Sequence, residues 1–223
     1  MIDLPNVTLV SYVLSEDAAF YERTDRVLRY MQTMFKFGRS MLFSFMPPPT
    51  MLSKSERIQI PPMDIDAANI WLNTGLPPFI ETERCWLVHE DGFCIDESKW
   101  KPAFLDWDYM GAPWADGVVG NGGNTIISQR LMRAAMRLPF SVKVTPPPDG
   151  WNYYASDVWL CRVHRKLLES QGFRWAPRDL ALEFSVEQLG TNFPSMGFHG
   201  RNVVPHLYEQ GYRAIEESEK TTG

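Results

Sequence analysis

Hydrophobic positions fall into short blocks separated by prolines, glycines and charge, and the spacing inside each block predicts its element. Residues 7–13, Val7-Thr8-Leu9-Val10-Ser11-Tyr12-Val13, are rich in β-branched and aromatic side chains and predict a first strand. Over residues 18–37, apolar side chains recur at Phe20, Val27, Leu28, Met31, Met34 and Phe35 with arginine and aspartate on the other face, which is helical spacing. Residues 15–17 offer a cap for this helix and Gly38 an end. Residues 40–46 predict a second strand, which Pro47-Pro48-Pro49 forbids from continuing. Strand, helix and strand with short joints predict a parallel βαβ unit.

Past the prolines, Ile58-Gln59-Ile60 reads as a short strand, and Asp64 caps a predicted helix over residues 64–72 that Gly75 ends. An apolar run, Trp86-Leu87-Val88, then stops at His89-Glu90-Asp91-Gly92 before Phe93-Cys94-Ile95 resumes it. A buried strand cannot carry unpaired charge in its interior, so these polar residues belong where it emerges, at a tight turn. Open α/β sheets bind ligands outside the carboxyl ends of their strands. A His-x-Asp arrangement there can hold a hard divalent cation against a phosphate. The same residues also read as an acidic hairpin turn, since strand-terminal Asp-Gly is common.

The second half carries Gly120-Asn121-Gly122-Gly123, which implies backbone that approaches something closely. It has neither the P-loop nor the dinucleotide-binding glycine spacing. Residues 129–138 predict a helix with Arg130, Arg133 and Arg137 on a solvated face, and residues 146–150 predict a rigid connector. Another helix opens near Ser156 and runs to about Ser170, so Asp157 is either a helix-terminal cap or a functional carboxylate. Residues 171–175 end that helix and begin a strand, and residues 176–185 are mixed. His199 stands in a predicted loop between Gly197 and Gly200, where an imidazole can complete a metal shell.

Composition narrows the class. With 223 residues, 44% of them hydrophobic, the chain can bury a core as one domain, taken as residues 1–215, before a charged tail at 216–223 that is expected to fray. A net charge of −5 argues against coating nucleic acid. Cys85, Cys94 and Cys161 match no zinc spacing and read as buried thiols in a reducing compartment. No secretory leader or membrane-spanning run appears, so a cytoplasmic protein is expected. Eight Trp, eight Tyr and thirteen Phe suit both a core and a site that stacks on flat ligands or sugar rings.

Taken in order, Asp91-Gly92-Phe93, Asp108-Tyr109-Met110-Gly111-Ala112-Pro113-Trp114, Val119-Gly120-Asn121-Gly122-Gly123, Ser156-Asp157-Val158 and Gly197-Phe198-His199-Gly200 resemble an uncharacterised domain family placed in the glycosyltransferase-A superfamily, over roughly residues 80–200. The resemblance implies an α/β fold, a mixed and mainly parallel central sheet flanked by helices. It implies a nucleotide-sugar donor held through Mn²⁺ or Mg²⁺, with Asp91 and His199 as metal ligands. His89 stands where the superfamily places the first aspartate of its Asp-x-Asp motif; His89, Glu90 and Tyr12 are the expected donor-side residues. Asp157 matches an acidic position of inverting members and would be the base, although Ser156 replaces the other acid of that pair. Trp114, Asn121, Gly122, Gly123 and Trp151 would face the sugar or a glycan, lipid-linked or small-molecule acceptor. The two departures, His89 and Ser156, leave a catalytically inactive nucleotide- or glycan-binding module as an alternative, beside a metal-dependent hydrolase.

Overall fold

The computed structural model describes residues 1–46, 50–139 and 155–222, so the three prolines at 47–49, the connector at 146–150 and Trp151 lie outside the described residues. A six-stranded sheet forms the centre, built from β1 (Ile2–Val13), β2 (Phe35–Ser44), β3 (Glu56–Gln59), β4 (Arg84–Val88), β6 (Tyr109–Gly111) and β7 (Asn124–Ser128), in the order β3-β2-β1-β4-β7-β6. The pairings β1–β2, β1–β4 and β2–β3 are parallel, and β4–β7 and β6–β7 antiparallel, which is the mixed, mainly parallel sheet expected. A smaller sheet, not foreseen, joins β5 (Gly92–Cys94), β9 (Gly197–His199) and β8 (Ser185–Val186) in that order.

The βαβ start forms as its pattern dictates. Residues 7–10 of β1 are buried on both faces, as a central parallel strand requires. Helix α1 (Ala18–Met34) is capped by Asp17, whose carboxylate accepts from Ala19 N at 2.9 Å. It buries Tyr21, Thr24, Val27, Leu28, Met31 and Met34, one helical stripe. The helix stops sooner than predicted and β2 starts directly at Phe35. The alternation Phe35, Phe37 is already strand spacing and was hidden by its overlap with the helical repeat. Gly38 ends nothing: it lies within β2, where a Cβ would come 2.0 Å from the Pro5 carbonyl oxygen.

Helix α2 (Ile65–Thr74) and helix α3 (Gln129–Ala135) cover one sheet face, where Leu76 and Met132 join Val10, Met41, Phe43, Cys85 and Leu87 of the strands in one apolar cluster. The other face carries the larger core around Trp86, which stacks on Trp100 at 5.6 Å and donates from Nε1 to Asn124 Oδ1 at 2.9 Å. Arg130 is not merely a solvated charge, because it forks onto the buried Asp108, with Nε 2.6 Å from Oδ1. The helix expected from Ser156 to Ser170 is broken. A single turn, α4 (Ser156–Val158), runs into a π-helical stretch (Trp159–Val163), then α5 (Arg165–Ser170). Of the strand expected at 173–175 only a bridge from Trp175 to Tyr109 forms, and helix α6 (Arg178–Phe184) occupies the mixed stretch. Residues 216–222 of the expected tail form the end of α7 (Pro205–Thr222), where Glu219 pairs with Arg26 at 2.9 Å. No helix among the described residues is long and apolar enough to cross a membrane.

Candidate active site

The turn after β4 closes through His89 N to Gly92 O at 2.9 Å and Gly92 N to His89 O at 3.2 Å. Across this turn, alternate side chains part. His89 and His199 line a cavity of about 240 Å³, and Asp91 lies behind that lining, 3.8 Å from the His199 imidazole. Glu90 turns the other way, into an ion-pair node with Arg23 Nε at 3.1 Å and the Arg201 guanidinium, beneath the Tyr212 hydroxyl. The structure therefore does not bring Glu90, an expected donor-side residue, into the cavity with His89.

His199 arrives from β9, not from a loop. Its register opposite Gly92 on β5 sets the imidazole over the turn. Three segments meet here with no room to spare: a Cβ on Gly123 would lie 1.9 Å from the His199 ring, and one on Gly92 would lie 2.7 Å from Gly123 O. The ligand atoms of His89, Asp91 and His199 all lie within 4.8 Å of one another, a group that could hold a metal ion. His89 Nε2 is buried with no hydrogen-bond partner among the described residues, which fits an imidazole whose lone pair serves coordination. The Tyr12 ring meets the His89 ring edge-on at 5.1 Å and fixes its plane.

Electrostatics separate the two imidazoles. Burial, and then the neighbouring His199, push His89 down to about 4, against the pull of Asp91. Burial also opposes charge on His199, but Glu187, Asp91 and Asp157 outweigh it and hold this histidine above its ordinary value. Asp91 stays below the usual carboxylate range: burial would raise it, and the two histidines and Arg201 overcome that.

Asp157 enters the same cavity from α4. It is not the helix cap, which is Ala155. Its Oδ2 accepts from Gly122 N at 3.0 Å and its Oδ1 from Val158 N at 2.7 Å. Burial raises its carboxyl above the ordinary value despite these two N–H bonds. Helix α2 holds the turn in place, with Asn69 Oδ1 accepting from Ser156 N at 2.9 Å and Asn73 Nδ2 donating to Ser156 O at 3.3 Å.

Glu187, absent from the sequence-derived candidates, follows β8 and is 7% exposed. Asn121 Nδ2 donates to its Oε2 at 2.7 Å, while Oε1 lies 3.4 Å from His199 Nδ1, within charge attraction but off the line of a good hydrogen bond. Ser185-Val186-Glu187, an acid ending a short buried strand, was the signal that could have found it. Asn121, Gly122 and Gly123 all line the cavity. Trp114 lines it too, but is 6% exposed, packs against Gly120 and carries the Arg162 guanidinium 4.3 Å from its ring centre. It is a wall with little free ring surface.

Comparisons with known proteins bear on this chain in three ways. No curated protein matches it. Among solved structures, it is similar over 93% of its length to 98% of a glycosyltransferase involved in the glycosylation of the major capsid of PBCV-1, with a TM-score of 0.53 at 11% identity. That likeness concerns the fold alone. HddC from Yersinia pseudotuberculosis overlaps 71% of this chain and 84% of its own at 13% identity, and its TM-score of 0.42 is too low to carry weight. A family model spans residues 77–199, from the approach to β4 through His199, and so covers the segments that carry His89, Asp91, the glycine loop, Asp157, Glu187 and His199, but not β1 or α2. By that match the chain belongs to the family described as protein of unknown function DUF5672.

Proposed function

We propose that the protein is a glycosyltransferase that moves a sugar from a nucleotide-sugar donor to a hydroxyl acceptor with inversion, assisted by a divalent cation. The observation that carries this is a metal-competent trio, His89, Asp91 and His199, whose two imidazoles line one cavity together with Asp157, a half-buried carboxylate held by the glycine loop. Glycosyl transfer needs two kinds of group: one to take the acceptor's proton and one to meet the charge left on the donor's diphosphate. Asp157 suits the first role, because burial makes it a better base than an exposed aspartate. As the acceptor oxygen bonds to the anomeric carbon, its proton passes to Asp157 and the sugar–phosphate bond breaks with its electron pair leaving on the diphosphate. A cation bound by His89, Asp91 and His199 would supply Lewis-acid neutralisation of that diphosphate. Two imidazoles and one carboxylate favour Mn²⁺ over Mg²⁺, which prefers oxygen ligands and retained water. The coarse fold likeness to a glycosyltransferase supports the reading.

The test is a melting panel of uridine, guanosine, cytidine and thymidine nucleotides with and without Mn²⁺, on the native chain and Asp91→Ala. A ligand at 100 times its Kd stabilises by about 2.7 kcal/mol. A Mn²⁺-dependent shift lost in Asp91→Ala is expected, and no shift with any nucleotide would sink the donor site. Acceptor-stimulated turnover then separates transfer from hydrolysis, and a product of retained anomeric configuration by NMR would remove Asp157 as base.

A further inference from the structure

The geometry points to an acceptor that carries an apolar group beside its reacting hydroxyl, an inference that rests on the transferase reading above. The cavity does not end at the polar cluster. It continues between α2, α3 and the sheet, where Leu72, Leu76, Leu87, Ile127 and Met132 form its wall. The asparagine and threonine side chains along this arm already have partners inside the protein. Asn69 donates to Ile65 O at 2.9 Å and accepts from Ser156 N at 2.9 Å; Asn73 donates to Ser156 O at 3.3 Å; Thr125 Oγ1 donates to Met110 O at 2.6 Å. A sugar ring placed there would exchange water on several hydroxyls for few partners, and each buried unpaired hydroxyl is costly. A hydrocarbon chain or an aromatic ring has no such loss and gains by leaving water.

The position of the arm decides which substrate it serves. Asn69 and Asn73 tie the Ser156–Val158 turn to α2, so the space under α2 opens beside Asp157. Asp157 is the group assigned to the acceptor's hydroxyl, so a group attached next to that hydroxyl has the arm beside it. The shared chemistry is an apolar aglycone, alkyl or aryl.

Titration calorimetry of the full chain with Mn²⁺ tests this, using methyl, butyl, hexyl and octyl β-D-glucopyranosides and phenyl β-D-glucopyranoside. Each is run with and without the nucleotide that shifts the melt most. Affinity is expected to rise about fourfold for each methylene buried, to persist with nucleotide bound, and to lose its chain-length dependence in Leu72→Gln. If the phenyl glycoside tightens over methyl while the alkyl series stays shallow, the aglycone is aryl. Equal affinity for all five probes overturns the proposal, and so does displacement of the octyl glycoside by nucleotide, which would make the arm a nucleobase pocket. A nucleotide shift with a flat series overturns the apolar acceptor alone and leaves the transferase standing. A graded series with no nucleotide shift overturns the acceptor assignment, because the arm would then bind apolar ligands in a protein that takes no donor.

Discussion

Replacing Glu187 with glutamine removes one charge behind His199 and almost nothing else. The amide oxygen can still accept from Asn121 Nδ2, which now donates to Oε2 at 2.7 Å, so the loop at Gly122 keeps its anchor. What changes is the partner 3.4 Å from His199 Nδ1. A carboxylate there draws the proton to Nδ1 and leaves the Nε2 lone pair facing Asp91, 3.8 Å away. The glutamine NH₂ can occupy the same place only by facing an unprotonated Nδ1, which selects the wrong tautomer. Loss of such a partner commonly weakens metal binding 10- to 100-fold, about 1.4–2.7 kcal/mol. Glu187 also helps to hold His199 above its ordinary pKa, so the variant's imidazole is easier to deprotonate and suffers less competition from protons. The deficit should therefore be largest at alkaline pH, where His199 is neutral in both proteins, and should narrow as pH falls. Free Mn²⁺ counted by electron paramagnetic resonance, over pH 6 to 8.5, measures it. Mn²⁺ affinity within about twofold of the native chain at the alkaline end, with the melting temperature unchanged, would refute the orienting role.

Three other perturbations probe the same site. Asp157→Asn should lower turnover by about 10²–10⁴-fold while the Mn²⁺-dependent nucleotide shift survives, measured by product release under saturating donor; near-native turnover would remove Asp157 from the chemistry. Gly123→Ala drives a methyl to within 1.9 Å of the His199 ring and should abolish the Mn²⁺-dependent shift in a melting assay, leaving a folded chain that Mn²⁺ does not stabilise. For His89, held down to about 4 by burial and then by His199, the unfolded chain takes up the proton first as pH falls from about 6.5. Metal-free stability should therefore fall between about pH 6.5 and 4 on this account, and urea titrations should show a flatter profile in His89→Gln.

Strand, helix and strand at the start were legible because each period ran long enough to be unambiguous. The end of α1 was not, because Phe35 satisfies the helical repeat and begins the alternation of β2 at once. The strand-end cluster at 89–92 was found by the abrupt change from apolar to ionisable residues. Which of its members faces the cavity was not legible. Glu90 is taken out by Arg23, Arg201 and Tyr212, partners 67, 111 and 122 residues away that no local pattern displays. The same reason hid Glu187, whose hydrogen-bond partner Asn121 is 66 residues distant. Asp157 could be noticed but not understood: its place at a helix start suggested a cap, whereas its oxygens tie the glycine loop at Gly122 to the turn at Val158.

Histidine at position 89 brings no charge to the candidate metal trio, where the pattern that the sequence resembles has a carboxylate. A further carboxylate lies close by. Asp91 leaves a single anion among the three candidate ligands, and a divalent cation held by them alone would keep a net charge of +1 in a half-buried place. Glu187, 7% exposed and 3.4 Å from His199 Nδ1, puts a second carboxylate one imidazole further out. On the transferase reading, the site keeps two anions while exchanging one oxygen ligand for nitrogen, so overall neutrality survives and metal preference moves toward Mn²⁺. The departure at His89 and the unforeseen acid at 187 are then two halves of one arrangement, and each explains the other.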